Sequence, residues 1–305
     1  MKKFLTGFFT FVGVVVVGLI LISIGSFMGK FNVDHPKIKK PSILELNLQG
    51  VIIDGKHFLE DLKKYAKEDN IKGVLIRINS PGGVVGPSQE IYSEIKRVRD
   101  ELQKPVVVAC LSVAASGAYY AAVAADQIVT NPGTLLGSIG VIMEFANLKK
   151  LYDWAKIERY SVNTGPYKDS GAEYRNMRPD ERALFQRLAN QVLSQFKKAV
   201  VEGRPKMNPQ TIHNYADGRV FTGQEAVELG FADKLGTFED AKRIVGELSG
   251  LGDDPEMFVP PKHRPDFYEV IAGVEESHFK NTLDRLFKIK TMGYPLYLFP
   301  GVMER

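Results

Sequence analysis

The chain has 305 residues, 44% of them hydrophobic, with 40 Lys and Arg against 36 Asp and Glu and a formal net charge of +4. This composition excludes a disordered protein and allows one large folded domain or two small ones. The basic residues form no patch interleaved with aromatic residues, so nucleic acid is not an expected partner. The single cysteine, Cys110, lies in an apolar run and is predicted to be a small buried residue.

Residues 4–29 carry no charge. This segment is longer than the roughly 20 residues that a helix needs to cross a bilayer. A cleaved signal peptide usually has a shorter apolar region, so we predict an uncleaved transmembrane anchor over 4–29, with a removed signal as the alternative. Lysines flank the segment on both sides, so charge alone does not give its orientation. Residues 30–41, with two prolines, are predicted to be a linker.

Strand and helix patterns alternate from Ser42 onwards. Residues 43–48 alternate apolar and polar as a half-buried strand does, and the apolar runs 73–78 and 106–109 predict two more strands. Apolar residues recur at helical spacing between these runs: Phe58, Leu59, Leu62 and Tyr65, then Ile91, Ile95, Val98 and Leu102. The alternation predicts an α/β fold with a parallel sheet and flanking helices.

Two glycines follow the second predicted strand, in Asn79-Ser-Pro-Gly-Gly83. Ligands bind at the carboxyl ends of the strands in open parallel sheets, where this segment lies. Glycines let the backbone turn sharply and present bare N–H groups, which stabilise the oxyanion formed when a carbonyl is attacked. The Gly83 amide is therefore a candidate oxyanion donor, with an ordinary strand-to-helix turn as the alternative.

Ser116 is the candidate nucleophile. It follows the third predicted strand and precedes a run of small residues and tyrosines that predicts a tightly packed helix. Gly117 lets a substrate approach closely, and its amide lies at the helix N-terminus, where the dipole favours negative charge. Plain helix packing would also explain a serine in this run.

A serine hydroxyl is a weak nucleophile at neutral pH and needs a neighbouring base. The chain has five histidines, and none follows Ser116 before His213. A neutral lysine is a known replacement for the histidine, and Lys168 is the candidate. Lys168 would have to be buried, because desolvation lowers the pKa of an amine. The neighbouring Asp169 would favour the charged amine, so we expect its carboxylate to point elsewhere.

Four segments in order resemble a known family, signal peptide peptidase A: Ser80-Pro-Gly-Gly83, Ala114-Ala-Ser-Gly117-Ala-Tyr-Tyr120, Gly137-Ser-Ile-Gly-Val141 and Tyr167-Lys168-Asp169. The likeness extends from about Ser42 to Gly246. It implies the fold of the Clp peptidases and crotonases, a membrane anchor, and cleavage of leftover signal peptides by a serine–lysine dyad. It also implies a homo-oligomeric ring or dome at a bacterial inner membrane, with the peptidase domain on the outer side.

By position, the resemblance makes Ser116 the nucleophile and Lys168 the general base. The amides of Gly83 and Gly117 would form the oxyanion hole. Ser138 would hydrogen-bond and orient the lysine, with a turn serine as the alternative. The chemistry requires no cofactor and no metal, and the sequence lacks His-x-x-x-His, Cys-x-x-Cys and nucleotide-loop spacings.

The predicted peptidase domain, residues 42–247, includes a helix that begins near Asp180 and repeats apolar residues every four positions. Such a stripe indicates core or a subunit contact. Residues 248–305 depart from the family pattern and are predicted to be a C-terminal extension, with a linker, a possible helix around 267–287 and an apolar tail at 294–300. We expect the tail to pack on a neighbouring subunit. A sharper hypothesis places it in or near the substrate groove or on the membrane surface.

The sequence and the resemblance together predict a membrane-anchored serine endopeptidase that acts through an acyl-enzyme. It would cleave unfolded peptides near the bilayer, with pockets that accept small or apolar side chains. The sequence fixes neither the cleavage specificity nor the number of subunits. Two alternatives come from other classes. A crotonase-like acyl-CoA enzyme would share the fold and the oxyanion glycines without needing Ser116 or Lys168, and a non-catalytic scaffold would only bind apolar peptides.

Overall fold

The computed structural model describes residues 13, 15–18, 38–261, 263 and 296–298. The chain divides into two compact units, residues 1–39 and 40–305. In the first unit, residues 13 and 15–18 are helical, and the rest of the predicted anchor and most of the predicted linker lie outside the described residues. Within the described part of the chain, no helix is long and apolar enough to cross a membrane.

The second unit is built on an eight-stranded sheet. Its strands are β1 (Ser42–Gln49), β2 (Ile71–Ser80), β4 (Val106–Ala115), β5 (Gln127–Thr130), β6 (Leu135–Gly137), β7 (Val220–Thr222), β8 (Lys234–Leu235) and β9 (Met257–Phe258). The order is β7-β6-β4-β2-β1-β9, and β5 pairs with both β4 and β8. Every described pairing in this sheet is parallel except that of β6 with β7. The predicted α/β fold with a mainly parallel sheet is confirmed.

Eight described helices surround this sheet. They are α1 (Lys56–Tyr65), α2 (Val85–Asp100), α3 (Gly117–Ala122), α4 (Lys149–Ala155), α5 (Pro179–Gly203), α6 (Pro209–Tyr215), α7 (Gly223–Leu229) and α8 (Phe238–Leu248). The apolar residues that predicted α1 are all buried, and Ile91, Ile95 and Val98 of α2 are buried as well. The apolar residues that repeat every four positions along α5 are not all buried. Phe196 and Val200 are buried, whereas Leu188 is 39% exposed.

The strands bury both faces, as expected where parallel strands lie between layers of helices. Leu75 and Val107 belong to a core cluster that includes Val245 of α8. Their neighbours Ile76 and Val108 point to the opposite face, because side chains alternate along a strand, and both are 0% exposed. The central strands therefore form a rigid platform, and the functional residues are found where these strands end.

Strand β4 is longer than the sequence predicted. The prediction ended at residue 109, whereas the strand continues to Ala115, next to Ser116. A register shift lies between the pair Ile78–Cys110 and the pair Ser80–Ala114. This irregularity interrupts the apolar periodicity, which explains why the pattern alone ended the strand early. The extension brings Ser116 to the edge where β2 ends.

The C-terminal residues contribute two further strands. Met257–Phe258 forms β9, which pairs with β1, so the sheet recruits residues from the predicted extension. Leu296–Leu298 forms β10, which pairs antiparallel with β3 (Gly82–Val84) in a separate two-stranded sheet. The possible helix at 267–287 lies outside the described residues. The chain thus returns to the peptidase body after its predicted domain boundary.

Arg204, at the end of α5, is 4% exposed and ties three segments together. It is ion-paired with Asp233 and donates to the Ala125 carbonyl at 2.7 Å, while Asp233 also accepts the Ile128 N–H at 2.7 Å. Replacing Arg204 with Met would remove the cation that pairs with Asp233 and the side-chain donor to the Ala125 carbonyl. We expect the free energy of unfolding to fall by about 3 kcal/mol.

Urea denaturation measures this loss. Lys206→Met is the matched control, because Lys206 is an exposed cation two residues further on. A change in Arg204→Met no larger than in this control would contradict the assigned role.

Candidate active site

The carboxyl ends of β2, β4 and β6 lie side by side. Ser80 at the end of β2 is paired with Ala114 of β4, and Ala115 is paired with Gly137 of β6. Three sequence motifs far apart in the chain therefore meet at one edge of the sheet. Brought together in this way, they form the carboxyl-end crevice where parallel sheets bind ligands.

Ser116 occupies a strained turn between β4 and α3. Its φ is 52° and its ψ is −116°, in a region that non-glycine residues rarely adopt. The backbone is held there because Ser116 N–H donates to the Gly137 carbonyl at 2.7 Å and the Ser116 carbonyl accepts the Tyr120 N–H at 2.8 Å. The strain sets the direction of the side chain independently of the helix that follows.

The Ser116 hydroxyl has no hydrogen-bond partner among the described residues, although the residue is only 1% exposed. A buried hydroxyl without a partner costs about 1–3 kcal/mol. Buried polar groups without a partner are found at catalytic sites. A serine nucleophile is one case, because its hydroxyl has to bond to a general base and attack a carbonyl carbon. The arrangement fits a nucleophile and gives no support to plain helix packing.

Ser138 directly follows β6, whose last residue, Gly137, is paired with Ala115 and accepts the Ser116 N–H. It is 6% exposed, its φ is 50°, and its N–H donates to the Arg219 carbonyl at 2.7 Å. The preceding Gly137 has a φ of 92°, and a Cβ there would lie 2.6 Å from the Phe221 ring. Gly137 therefore has to be glycine, and its carbonyl links the two serine turns.

Gly83 lies in an edge strand, β3, where the sequence predicted a turn. The Gly82 carbonyl accepts the Ile52 N–H at 2.9 Å, and the Val84 N–H donates to the Ile52 carbonyl at 2.8 Å. A Cβ on Gly83 would lie 2.0 Å from the Ile52 oxygen, so this close approach requires glycine. Ser80 fixes the entry to β3, since its hydroxyl accepts the Gly82 N–H at 3.1 Å.

The other side of β3 is occupied by the C-terminal tail. Tyr297 is directly opposite Gly83 in the antiparallel register. Because the polar groups of Gly82 and Val84 point to Ile52, the N–H and carbonyl of Gly83 point the other way, towards Tyr297. An extended segment is thus paired with the predicted oxyanion donor, which agrees with the hypothesis that the tail lies in or near the substrate groove.

Lys168 lies in a turn that precedes α5, with its N–H bonded to the Gly165 carbonyl at 3.2 Å. Its side chain is exposed. Since Ser116 Oγ has no partner in the described part of the molecule, the dyad bond is not formed within this single chain. The structure therefore brings Ser116, Ser138 and Gly83 to one sheet edge, and the role of Lys168 stays a prediction.

Asp169 is engaged by other residues, as expected. Its carboxylate accepts from Arg175 Nε at 3.1 Å and from the Tyr174 hydroxyl at 3.3 Å. The hydrogen bond with Arg175 lowers the pKa of Asp169 to about 2, so this carboxyl is ionised at neutral pH. Its charge is directed to the guanidinium of Arg175.

Sequence reasoning missed the groups that hold this turn, Arg175, Arg178 and Glu181. The available signal was an acidic residue in the first turn of a helix, a place where the helix dipole alone already favours a carboxylate. The hydrogen-bonding role of Ser80 was also missed, although its motif was recognised. Each of these residues forms a hydrogen bond or an ion pair whose partner is known only from the folded structure.

Cys110 is 1% exposed in β4, as predicted. Burial raises the pKa of its thiol to about 12. The thiol therefore stays protonated at neutral pH, and Cys110 does not supply a second nucleophile.

Among the described residues, one group could hold a metal ion: His57, Glu60 and His263, whose ligand atoms lie within 4.8 Å of one another. All three are exposed, and His263 is hydrogen-bonded to Asp61 at 3.0 Å. His57 lies in the first turn of α1, where the helix dipole disfavours a cation. None of these groups belongs to the strand ends that carry Ser116 and Ser138.

Comparison with known proteins gives consistent matches. The sequence profile of peptidase family S49 matches residues 99–252, and that of Clp protease matches residues 54–130. A putative protease of Synechocystis sp. is 34% identical over 273 residues, which is 85% of this chain and 96% of that protein.

Two further relatives match over smaller shares of their own length. The putative signal peptide peptidase SppA of Enterococcus faecium is 32% identical over 212 residues, 65% of this chain and 61% of that protein. The chloroplastic serine protease SPPA of Arabidopsis thaliana is 31% identical over 235 residues, 76% of this chain and 34% of that protein. All three relatives are named as proteases or peptidases, which favours a peptidase over an acyl-CoA enzyme.

Proposed function

Because the chain belongs to peptidase family S49, we propose that it is a serine endopeptidase in which Ser116 is the nucleophile and Lys168 the general base. The predicted resemblance to signal peptide peptidase A, with its Clp-like fold, is confirmed at the level of the family. The observation that carries the proposal is the buried Ser116 hydroxyl, which is held in a strained turn and has no hydrogen-bond partner in the part of the chain that the structure describes.

The proposed reaction has two stages. Neutral Lys168 accepts the proton of Ser116 Oγ as the oxygen attacks the peptide carbonyl, and the amides of Gly83 and Gly117 bind the oxyanion. The Lys168 ammonium then gives this proton to the leaving nitrogen as the C–N bond breaks, and an acyl-enzyme remains on Ser116. In the second stage Lys168 takes a proton from water, the water oxygen attacks the ester carbonyl, and the ammonium returns the proton to Ser116 Oγ as the ester C–O bond breaks. Ser138 would orient the lysine through a hydrogen bond.

The β3 edge supports a peptide substrate that binds in an extended form. Antiparallel pairing of β10 with Gly82–Val84 demonstrates that this edge accepts a strand. Main-chain pairing of this kind holds a peptide without regard to its sequence, and side-chain pockets then give the preference. An unfolded peptide with small or apolar side chains, such as a spent signal peptide, is the proposed substrate.

Completion of the site requires that Lys168 becomes buried, and a neighbouring subunit is the proposed cover. The segment between Leu148 and Tyr167 exposes many large apolar side chains: Leu148, Leu151, Trp154, Ile157, Tyr160, Val162 and Tyr167. Trp154 is 81% exposed and Val162 is 95% exposed. Exposed apolar surface next to Lys168 fits packing between copies in a homo-oligomeric ring or dome.

The cellular location completes the proposal. We place the protein in a bacterial inner membrane through an uncleaved helix at residues 4–29, with the peptidase domain on the outer side. The support is the uncharged run of the sequence. A site held near the bilayer by a short linker would meet apolar peptides as they leave the membrane.

A fluorophosphonate probe and a peptide panel test the function directly. We expect the probe to label Ser116 and peptide cleavage to be fastest after small or apolar residues, because a base-activated serine attacks both phosphorus and carbonyl centres. Mass spectrometry locates the label, and fluorogenic peptides give kcat/KM. Unlabelled Ser116 in an active preparation, or a preference for charged residues at the cleavage point, would contradict the proposal.

A further inference from the structure

The turn that carries Lys168 is held at two points by arginines near the start of α5. Arg175 donates from Nε to an Asp169 carboxylate oxygen and from Nη2 to the Asp169 carbonyl, both at 3.1 Å. Arg178 Nη2 donates to the Pro166 carbonyl at 2.5 Å. Pro166 precedes Lys168 and Asp169 follows it. The two arginines therefore hydrogen-bond to the turn on both sides of Lys168.

Both arginines share one buried carboxylate, Glu181 in the first turn of α5. Glu181 is 0% exposed and accepts from Arg175 at 3.0 and 2.5 Å. It also accepts the Arg178 backbone N–H at 3.0 Å and lies 2.9 Å from Arg178 Nη1. Forked, charge-assisted bonds fix relative orientation, and a buried carboxylate tolerates little departure from them. The turn is therefore anchored to the rigid end of a long helix.

We propose that Arg175 is a positioning residue for the serine–lysine dyad: it anchors the Lys168 turn to Glu181 and binds the Asp169 carboxylate that would otherwise pair with the Lys168 amine. This inference rests on the proposed function. A carboxylate within about 4–6 Å of an amine favours its charged form, with an effect of about 1–3 pKa units. A general base has to be neutral. An Asp169 carboxylate without its arginine partner would favour the charged Lys168 amine, which cannot accept a proton.

Several charged and titratable groups lie on the segments around this turn: Arg159, Tyr167, Asp169, Glu173, Tyr174, Arg175, Arg178, Asp180 and Glu181. Most are already paired: Glu173 with Arg159, Asp180 with Arg178, and Glu181 with both arginines. Without the Arg175 guanidinium, Glu181 keeps Arg178 as a cationic partner, whereas Asp169 loses its ion pair and keeps only neutral donors, the hydroxyls of Tyr174 and Ser161.

The test is the pH dependence of kcat/KM for a fluorogenic peptide in Arg175→Met. We expect the limb that rises with pH, which reports deprotonation of the base, to move up by about one pH unit, with a roughly tenfold loss of kcat/KM at pH values below it. Adding Asp169→Asn should move the limb back, because it removes the charge that Arg175 had bound. Arg182→Met is the matched control, since Arg182 is an exposed arginine of the same helix.

A purely structural role would lower activity equally at every pH and would not respond to Asp169→Asn. That outcome, or a wild-type pH profile in Arg175→Met, overturns the inference. If Arg175→Met does not fold, Arg175→Lys keeps the charge but loses the forked bonds, and a smaller shift reversed by Asp169→Asn is expected. Full activity in Lys168→Ala would instead overturn the proposed function, whereas an inactive Lys168→Ala beside a wild-type Arg175→Met profile overturns the present inference alone.

Discussion

Ser116→Ala and Lys168→Ala are each expected to abolish peptide hydrolysis. Without Ser116 Oγ no acyl-enzyme forms, and kcat should fall at least about a thousandfold. Without the Lys168 amine the hydroxyl has no base, and a loss of at least about a hundredfold is expected. Steady-state hydrolysis of a fluorogenic peptide measures both, and fluorophosphonate labelling reports whether Ser116 is still activated when Lys168 is absent.

The two losses should not add. Residues that act as one unit are strongly non-additive, so the double variant is expected to be no less active than Ser116→Ala alone. Lys206→Ala is the matched control, an exposed lysine outside the proposed site. Thermal unfolding has to show that each variant is folded. Full activity in either single variant would exclude the dyad, and full activity in Ser116→Ala would require a different nucleophile.

Truncation of residues 291–305 is expected to raise kcat/KM for short peptides, mainly by lowering KM. The tail strand Leu296–Leu298 is paired with the edge that the substrate is proposed to use. A tethered strand competes at an effective concentration in the millimolar range, so we expect an increase of roughly tenfold. Peptide kinetics, together with light scattering to follow assembly, measure the effect.

Truncation after the strand supplies the matched control. Removing residues 299–305 leaves Leu296–Leu298 in place and should keep KM close to that of the full chain. If the longer truncation changes neither kinetics nor assembly, the tail has no role at the groove. If it changes assembly alone, the tail is a subunit contact, as the apolar pattern first suggested.

The sequence was sufficient to name the candidate residues of the site and their order along the chain. Gly83 and Ser116 were recognisable because each follows a predicted strand and because glycine allows a sharp turn, whereas Ser138 was named only through the family resemblance. It also determined the α/β class, since the periods of strands and helices are local properties. In each case the informative signal lies within a few residues of the feature.

How these parts combine depends on the tertiary structure. The register shift that extends β4 to Ser116 and the pairing of Tyr297 with Gly83 depend on contacts between distant segments. So does the choice of Arg175 as the partner of Asp169, which leaves Lys168 next to an already paired carboxylate. Residue spacing does not encode such pairings, because hydrogen bonds and ion pairs select their partners only when packing brings them within reach.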